Sequence, residues 1–230
     1  MKNMRTIASM FLLAYLAVAA DDLEKLRDRQ DRSGLDAHAT ALQTAAEKTP
    51  NDPGGWYRAA IAYAYVAEVA METRDKNGAQ RAAETGAGDA EKAIALNGKD
   101  ADYYRVLGTL CGQVIPANPL AGILSYGKRA KDALDKAIEM DPKSAKAFVA
   151  HGVGYYYLPA NFGGGPDNAI KDFRQAIALD PKSAEAYLWM GIAMKKQHQN
   201  APAREALTKS LQLDPDRAWT KEQLEKTPVQ

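Results

Sequence analysis

One short pattern recurs along this chain and constrains its fold more than any other feature of the sequence. Three copies read AKDALDKAIEMDP, AIKDFRQAIALDP and AREALTKSLQLDP, and they close at Pro142, Pro181 and Pro215. The last two prolines are 34 residues apart, and degenerate copies end at Gly98 and Pro50. Self-similarity at a fixed spacing of this size predicts a stack of small structural repeats.

Each copy has the chemistry of a helix that ends at its proline. Proline cannot continue a helix, and the Asp before it suits a turn. Small residues recur where two helices would approach closely; these are Ala60, Gly108, Gly152, Gly191, Ala130, Ala169 and Ala203. Large apolar residues recur between them; these are Trp56, Tyr104, Phe148, Tyr187, Leu134, Phe173 and Leu207. Because one helix pair cannot bury its apolar face alone, the pairs are predicted to stack.

This pattern resembles the tetratricopeptide repeat (TPR), a helix–turn–helix unit of 34 residues, over roughly residues 35–217. The resemblance implies an all-α, right-handed superhelix with lengthened segments between helices. We place the repeat domain at 21–217 and a capping helix with a tail at 218–230. The predicted units are 21–52, 53–100, 101–144, 145–183 and 184–217.

A narrower resemblance covers Leu124 to Pro181. The stretches YGKRAKDALDKAIEMDPKS, HGVGYYYLP and FGGGPDNAI look like two groups of helical repeat proteins. One group is the regulator of microtubule dynamics proteins of eukaryotes. The other is the T-component proteins associated with tripartite ATP-independent (TRAP) transporters. Both resemblances imply the same repeat fold and a function in binding a ligand or a partner.

The N-terminus has the organisation of a secretory leader. Lys2 and Arg5 precede an apolar run at 7–18, and Ala-Val-Ala at 17–19 fits the small-x-small cleavage pattern. The sequence therefore predicts a signal peptide at 1–20 and an exported chain, periplasmic or secreted, that is not an integral membrane protein once the leader is removed. An uncleaved membrane anchor is the alternative.

Composition and side-chain spacing exclude several classes of function. The net charge of +1 offers no general attraction for nucleic acid. Cys111 is the single Cys and is expected to be a buried packing thiol, while His38, His151 and His198 lie in separate units. We therefore expect no metal site, no cofactor and no catalytic residues, so the protein is predicted not to be an enzyme. His151 is expected in the core, and the carboxylates on solvated helix faces.

The TPR resemblance implies a concave groove lined by fixed positions of each first helix. In this sequence those positions are Tyr57, Ile61, Tyr65, Arg105, Thr109, Val149, Val153, Tyr156, Tyr157, Leu188, Ile192 and Lys195. They are mostly apolar and rich in tyrosine, which suits an interface.

We therefore predict that the groove binds a protein or peptide partner, for example an amphipathic helix. The alternative is an apolar small molecule, bound by an accessory protein of a TRAP-type transporter. A third interpretation is that the chain's own loop at 113–122 fills the groove.

Overall fold

The computed structural model describes residues 22–117 and 122–229, and within these ranges every regular element is helical. The predicted leader at 1–20 lies outside the described residues. Strands are absent from the described part of the chain, which confirms the all-α prediction. Of the helices in these two ranges, none combines the length and the apolar character needed to cross a bilayer.

The helices follow one another as antiparallel neighbours. They are α1 (22–28), α2 (Arg32–Lys48), α3 (Pro53–Glu72), α4 (Lys76–Leu96), α5 (Ala101–Val114), α6 (Lys128–Met140), α7 (Ala145–Tyr157), α8 (Pro166–Leu179), α9 (Ala184–Lys196), α10 (Asn200–Leu213) and α11 (Ala218–Glu225). Short 3-10 turns at Ile115–Ala117 and Ala160–Phe162, and a π-turn at Ile123–Gly127, lie in the lengthened segments.

The helices form two layers. The odd-numbered helices α3, α5, α7 and α9 contact one another in sequence and form the inner layer. Each of α4, α6, α8 and α10 packs against the odd-numbered helix before it and the one after it, and α2 packs against α3. From α2 to α11, extensive packing therefore joins only helices that are close in chain order, as expected for a solenoid.

The turns between successive units repeat in atomic detail. Asp141 and Asp180 each accept a hydrogen bond from the backbone N–H two residues further on, at 3.1 and 2.9 Å. Ser144 and Ser183 then begin α7 and α9 by accepting the N–H three residues further on, at 3.2 and 3.3 Å. Such caps satisfy helix N–H groups that have no partner within the helix.

The small residues mark the closest helix contacts, as predicted. A Cβ on Gly152 would lie 2.6 Å from Phe173 Cε1 and 3.1 Å from the Ala169 carbonyl oxygen. The same approach recurs at Gly108 against Leu134 and at Gly191 against Leu207. The inner helices α5, α7 and α9 therefore each pack on the outer helix that follows at one glycine, opposite a large apolar side chain.

Candidate binding cavity

The inner helices surround a partly enclosed cavity of about 1040 Å³. Ligand pockets in proteins usually measure about 300–1000 Å³, so this cavity is at the upper end of that range. Its walls come mainly from α1, α3, α5 and α7, and from Trp189 of α9 and Trp219 of α11. The cavity is thus built from elements of all five predicted units and the final helix.

Most of the predicted groove residues lie on this cavity. Those that line it are Tyr57, Ile61, Tyr65, Arg105, Thr109, Val149, Val153 and Tyr157. They come from α3, α5 and α7, at corresponding places in successive units. The repeat pattern therefore brings these three inner faces together around one space.

The other predicted groove residues lie elsewhere. Leu188 and Ile192 are buried in the hydrophobic core of the last units. Tyr156 packs against Trp189, and Lys195 Nζ donates a hydrogen bond to Gln223 Oε1 at 2.7 Å. From α9 the cavity receives Glu185 and Trp189 instead. Trp189 was not among the predicted groove residues. Its large aromatic side chain on an inner helix was the feature of the sequence that could have indicated it.

Aromatic rings form one wall of the cavity. The Trp189 and Trp219 rings meet edge to face at a centroid distance of 5.2 Å, and Tyr157 meets Trp189 at 6.0 Å. Tyr157 keeps 38% of its surface exposed. Edge-to-face contacts of this kind hold aromatic side chains in place. This wall therefore presents a fixed, largely apolar surface with a tyrosine hydroxyl.

The guanidinium group of Arg105, which also lines the cavity, is paired with a carboxylate. Arg105 donates through Nη2 to Asp102 at 2.9 Å and also through Nε, and the Tyr57 hydroxyl donates to the same carboxylate. Burial acts to raise the pKa of Asp102, but hydrogen bonds and charge from Arg105 outweigh it and leave that pKa below its usual value. Arg105 is therefore not a free cation for a ligand carboxylate.

The lengthened segment after α5 forms one end of the cavity. Gln113 Nε2 donates to the Ala64 carbonyl at 3.1 Å, which ties the end of α5 to α3. Gln113, Ile115 and Pro116 line the cavity, and so does Ile123 beyond the undescribed residues 118–121. The described ends of the 113–122 loop thus contribute apolar walls.

The two ends of the superhelix meet beside the cavity in a charged contact that we call the seam. Its residues are Arg27, Asp28, Glu68, Glu72, Glu185, Asp214 and Arg217. Arg217, between α10 and α11, is 1% exposed and donates to Glu68 Oε1 at 2.6 Å and to Glu72 Oε2 at 3.1 Å. The prediction of solvated carboxylates is wrong here, because closure of the superhelix buries these groups.

Burial also changes the acidity of the seam. It raises the pKa of Glu68 to about 8, more than the charge of Arg217 lowers it. Burial raises the pKa of Glu72 and of Asp214 in the same direction. These shifts follow from the cost of placing a carboxylate in a poorly hydrated place.

Cys111 is fully buried, as the sequence predicts, and burial raises its pKa to about 11. His151 was expected in the core but is half-buried at the cavity wall, because it is held between carboxylates, with Nδ1 2.8 Å from Asp172 and Nε2 3.2 Å from Asp135. Among the described residues, no group of His, Cys, Asp and Glu is arranged to hold a metal ion.

Stacked helix pairs around a concave cavity define the class of protein: a TPR-like helical repeat protein. A TPR repeat family model matches residues 166–198. The family model for regulator of microtubule dynamics protein 1-3 matches residues 17–163, well over half of the chain. The chain belongs to that family, in agreement with the narrower sequence resemblance. No curated protein matches it in sequence.

The chain is also similar to solved structures, one of which supports the fold. A thermophilic TPR protein of Thermus thermophilus, TTC0263, is 19% identical with a TM-score of 0.63, covering 85% of this chain and 91% of its own. PilF of Pseudomonas aeruginosa is 17% identical, covers 74% and 68%, and has a TM-score of 0.47. YrrB, described as a TPR protein with an unusual peptide-binding site, is 21% identical, covers 80% and 97%, and has a TM-score of 0.44. At such identities the first of these shows a shared fold.

Proposed function

We propose that this protein is an exported, non-catalytic binding protein that holds a short segment of a protein partner in its cavity. The observation that carries the proposal is the cavity of about 1040 Å³ between the inner helices. TPR-like folds act as scaffolds for protein interaction, and their functions depend on such surfaces rather than on the fold alone.

The chemistry of the walls indicates the partner's side chains. Tyr65, Tyr157 and Trp189 offer aromatic surface, and Val149 and Val153 offer aliphatic surface. Arg105 is paired with Asp102, so the site offers little to a free carboxylate. A segment with apolar or aromatic side chains would gain most by burial here, and tyrosine hydroxyls could accept or donate hydrogen bonds at its edges.

The shape of the cavity limits the partner to one slender segment. The seam joins the ends of the superhelix, so a folded domain could not enter while it is closed. A single turn-rich or helical stretch fits better, because a helix with its side chains is about 10–12 Å across. The proposal therefore favours a linear segment, such as one face of an amphipathic helix.

Photo-crosslinking inside cells tests the proposal. A benzoylphenylalanine replacing Tyr157 should crosslink to one defined segment of a partner, whereas the same group at Phe162, which is 61% exposed and does not line the cavity, should not. A synthetic peptide of that segment should then bind the purified protein. Crosslinks to that segment from position 162 alone would reject the cavity as the site.

A wall substitution completes this test. Val153→Asp places a carboxylate on the apolar wall and should weaken the peptide's affinity by at least about tenfold, because the charge must be desolvated. The matched control is Val229→Asp, at a 76% exposed position in the tail. Both variants are checked for helix content by circular dichroism. Equal affinity of folded Val153→Asp and the control would place the binding site elsewhere.

Export is the second part of the proposal. It rests on the charged, apolar and small-residue regions of the first twenty or so positions. The intact mass of the protein recovered from cell fractions should correspond to a chain beginning near residue 21, in the periplasm or the medium. A full-length mass confined to the cytoplasm would contradict export without affecting the cavity.

A small apolar molecule is the second candidate occupant, favoured by the enclosure of the cavity. Its transport partner would be a TRAP-type system, as the T-component resemblance implies. Thermal-shift measurements against lipids and organic acids separate the two candidates. A stabilising compound that competes with the crosslinked peptide would favour the small molecule, and the absence of any stabilising compound would reject it.

A further inference from the structure

We propose that the seam is a reversible closure, in which the segment 214–219 shuts the cavity against α1 and α3 and must separate from them before a partner segment enters. The identity of the segment that enters the cavity rests on the proposed function. The closure rests only on the contacts between the two ends of the superhelix. An experiment can therefore contradict the closure without contradicting the proposed function, and the reverse.

The two ends exchange arginines. Arg217 from the last unit reaches Glu68 and Glu72 of α3, and its Nε lies 3.8 Å from Asp28 of α1. In the opposite direction, Arg27 of α1 lies 3.9 Å from Glu185 and 3.9 Å from Asp214. Each end therefore supplies the cation that the other end's carboxylates require.

The seam also forms part of the cavity wall. Asp28, Glu68, Glu185 and Asp214 all line the cavity, and so does Trp219, two residues after Arg217. The Arg217 guanidinium lies 5.7 Å from the centre of the Trp219 ring. Movement of this segment away from α3 would therefore open the cavity to solvent on that side.

The architecture allows the ends to part without unfolding the units. From α2 to α11, extensive packing joins only helices close in chain order, and Arg217 meets α3 through side-chain ion pairs. In a solenoid each unit is stabilised mainly by its immediate neighbours. Loss of the seam would thus leave each unit with its neighbours and release only the contact between the ends.

The acidic groups of the seam outnumber the basic ones. Five carboxyl groups, from Asp28, Glu68, Glu72, Glu185 and Asp214, face two guanidinium groups. Arg217 Nε has no hydrogen-bond partner although it is buried. Buried ion pairs gain little net stability once desolvation is included, and an excess of like charges reduces that gain. We therefore expect that the seam can open at a moderate cost in free energy.

A seam without the Arg217 ion pairs provides the test. The triple variant Glu68→Gln, Glu72→Gln, Arg217→Gln removes these pairs on both sides, and Asp28 keeps Arg27 as its partner at 2.6 Å. The longer contacts of Arg27 with Glu185 and Asp214, both 3.9 Å, remain. The control variant Glu47→Gln, Arg174→Gln, Glu205→Gln changes the net charge equally at exposed positions away from the cavity. Far-ultraviolet circular dichroism should be the same for both. The seam variant should show a larger radius of gyration by X-ray scattering and a red-shifted tryptophan emission.

A neutral apolar dye, Nile red, tests access to the cavity. Its association rate should be at least about tenfold faster with the seam variant than with the control, because the rate follows the open fraction. Unchanged scattering and emission would overturn the closure. A wider molecule with an unchanged dye rate would overturn its role in access. No dye binding to any variant would count against the cavity as a binding site, while scattering still decides the closure.

Hydrogen exchange of the unaltered protein keeps the closure testable if the seam variant does not fold. Amides at the seam, in 22–28 and 214–219, should exchange together and faster than those of α5 to α8, through a shared opening. Protection at the seam equal to that of the central helices would overturn the proposal.

Discussion

Single glycines set the distance between helices in this fold. Gly152 allows α7 to approach α8 until the Phe173 ring lies where a side chain would be. Two residues further along the same helix, Gly154 has no comparable neighbour, because a Cβ there would lie 3.7 Å from Leu134. The two glycines lie in the same helix but differ in packing. Comparing alanine at both positions therefore distinguishes the effect of helix propensity from the effect of the close contact.

We predict opposite effects of alanine at these two glycines. Gly152→Ala should lower the free energy of unfolding by up to about 2 kcal/mol, since overpacking costs about 1–3 kcal/mol and helix propensity returns about 1 kcal/mol. Gly154→Ala should raise it by up to about 1 kcal/mol. Chemical denaturation of both variants measures this. Equal stabilisation by both alanine substitutions would show that the Phe173 ring can move away from position 152 without an energetic cost.

A second residue-scale prediction concerns Glu68. Its folded pKa of about 8 lies above the ordinary value of 4.5, because burial outweighs Arg217 and Arg27, and Glu185 and Glu72 add to the rise. The folded protein therefore binds a proton that the unfolded chain has released between these pH values. By linkage, the free energy of unfolding should fall as pH rises through that window, by on the order of 1 kcal/mol or more.

Denaturation curves measured across this pH window test the sign of the effect. Glu68→Gln should flatten the slope, whereas Glu205→Gln, at an exposed position, should leave it unchanged. Glu72 and Asp214 have pKa values raised in the same direction, so part of the slope should remain in Glu68→Gln. A stability that rises with pH across this window would contradict the interpretation of the seam.

At the scale of elements, the sequence predicts the helices and most of the inner surface. The chain-breaking prolines and small residues define the helix pairs, and the repeat places the inner faces of α3, α5 and α7 toward one space. In α9 the same counting selects Leu188 and Ile192, which are buried in the core, while Trp189 reaches the cavity. Repeat spacing predicts only how a helix packs against the helices of adjacent repeats. The Trp189 ring of α9 also packs against Trp219 of α11, a contact that the repeat spacing does not include.

The seam could not be predicted from the sequence. Arg217 and Glu72 are 145 positions apart, and Arg217 stands where the repeating pattern has the capping serines Ser144 and Ser183. Charged residues on a helix surface normally indicate contact with water. Only the curvature accumulated over all the units brings the ends together and buries these groups. Local patterns carry no information about such a contact, which depends on every inter-unit angle at once.

At the scale of the whole molecule, the closed superhelix predicts coupling between its ends. In an open solenoid, a change in the last unit would affect that unit and its neighbour, because stability is passed between adjacent repeats. Here Arg217→Gln leaves Glu68 and Glu72 without their main cation. We therefore expect faster hydrogen exchange in α1 and the C-terminal half of α3, as well as in α10 and α11.

The helices between these ends provide the internal comparison. Exchange in α5 to α8 should change least, although these helices are closer to Arg217 in sequence than α3 is. Arg174→Gln, at an exposed position in α8, should leave α1 and α3 unaffected. An effect of Arg217→Gln that declines steadily from α11 toward α1 would indicate transmission through the stack. Two separated regions of faster exchange would instead show that the ends of the superhelix act directly on each other.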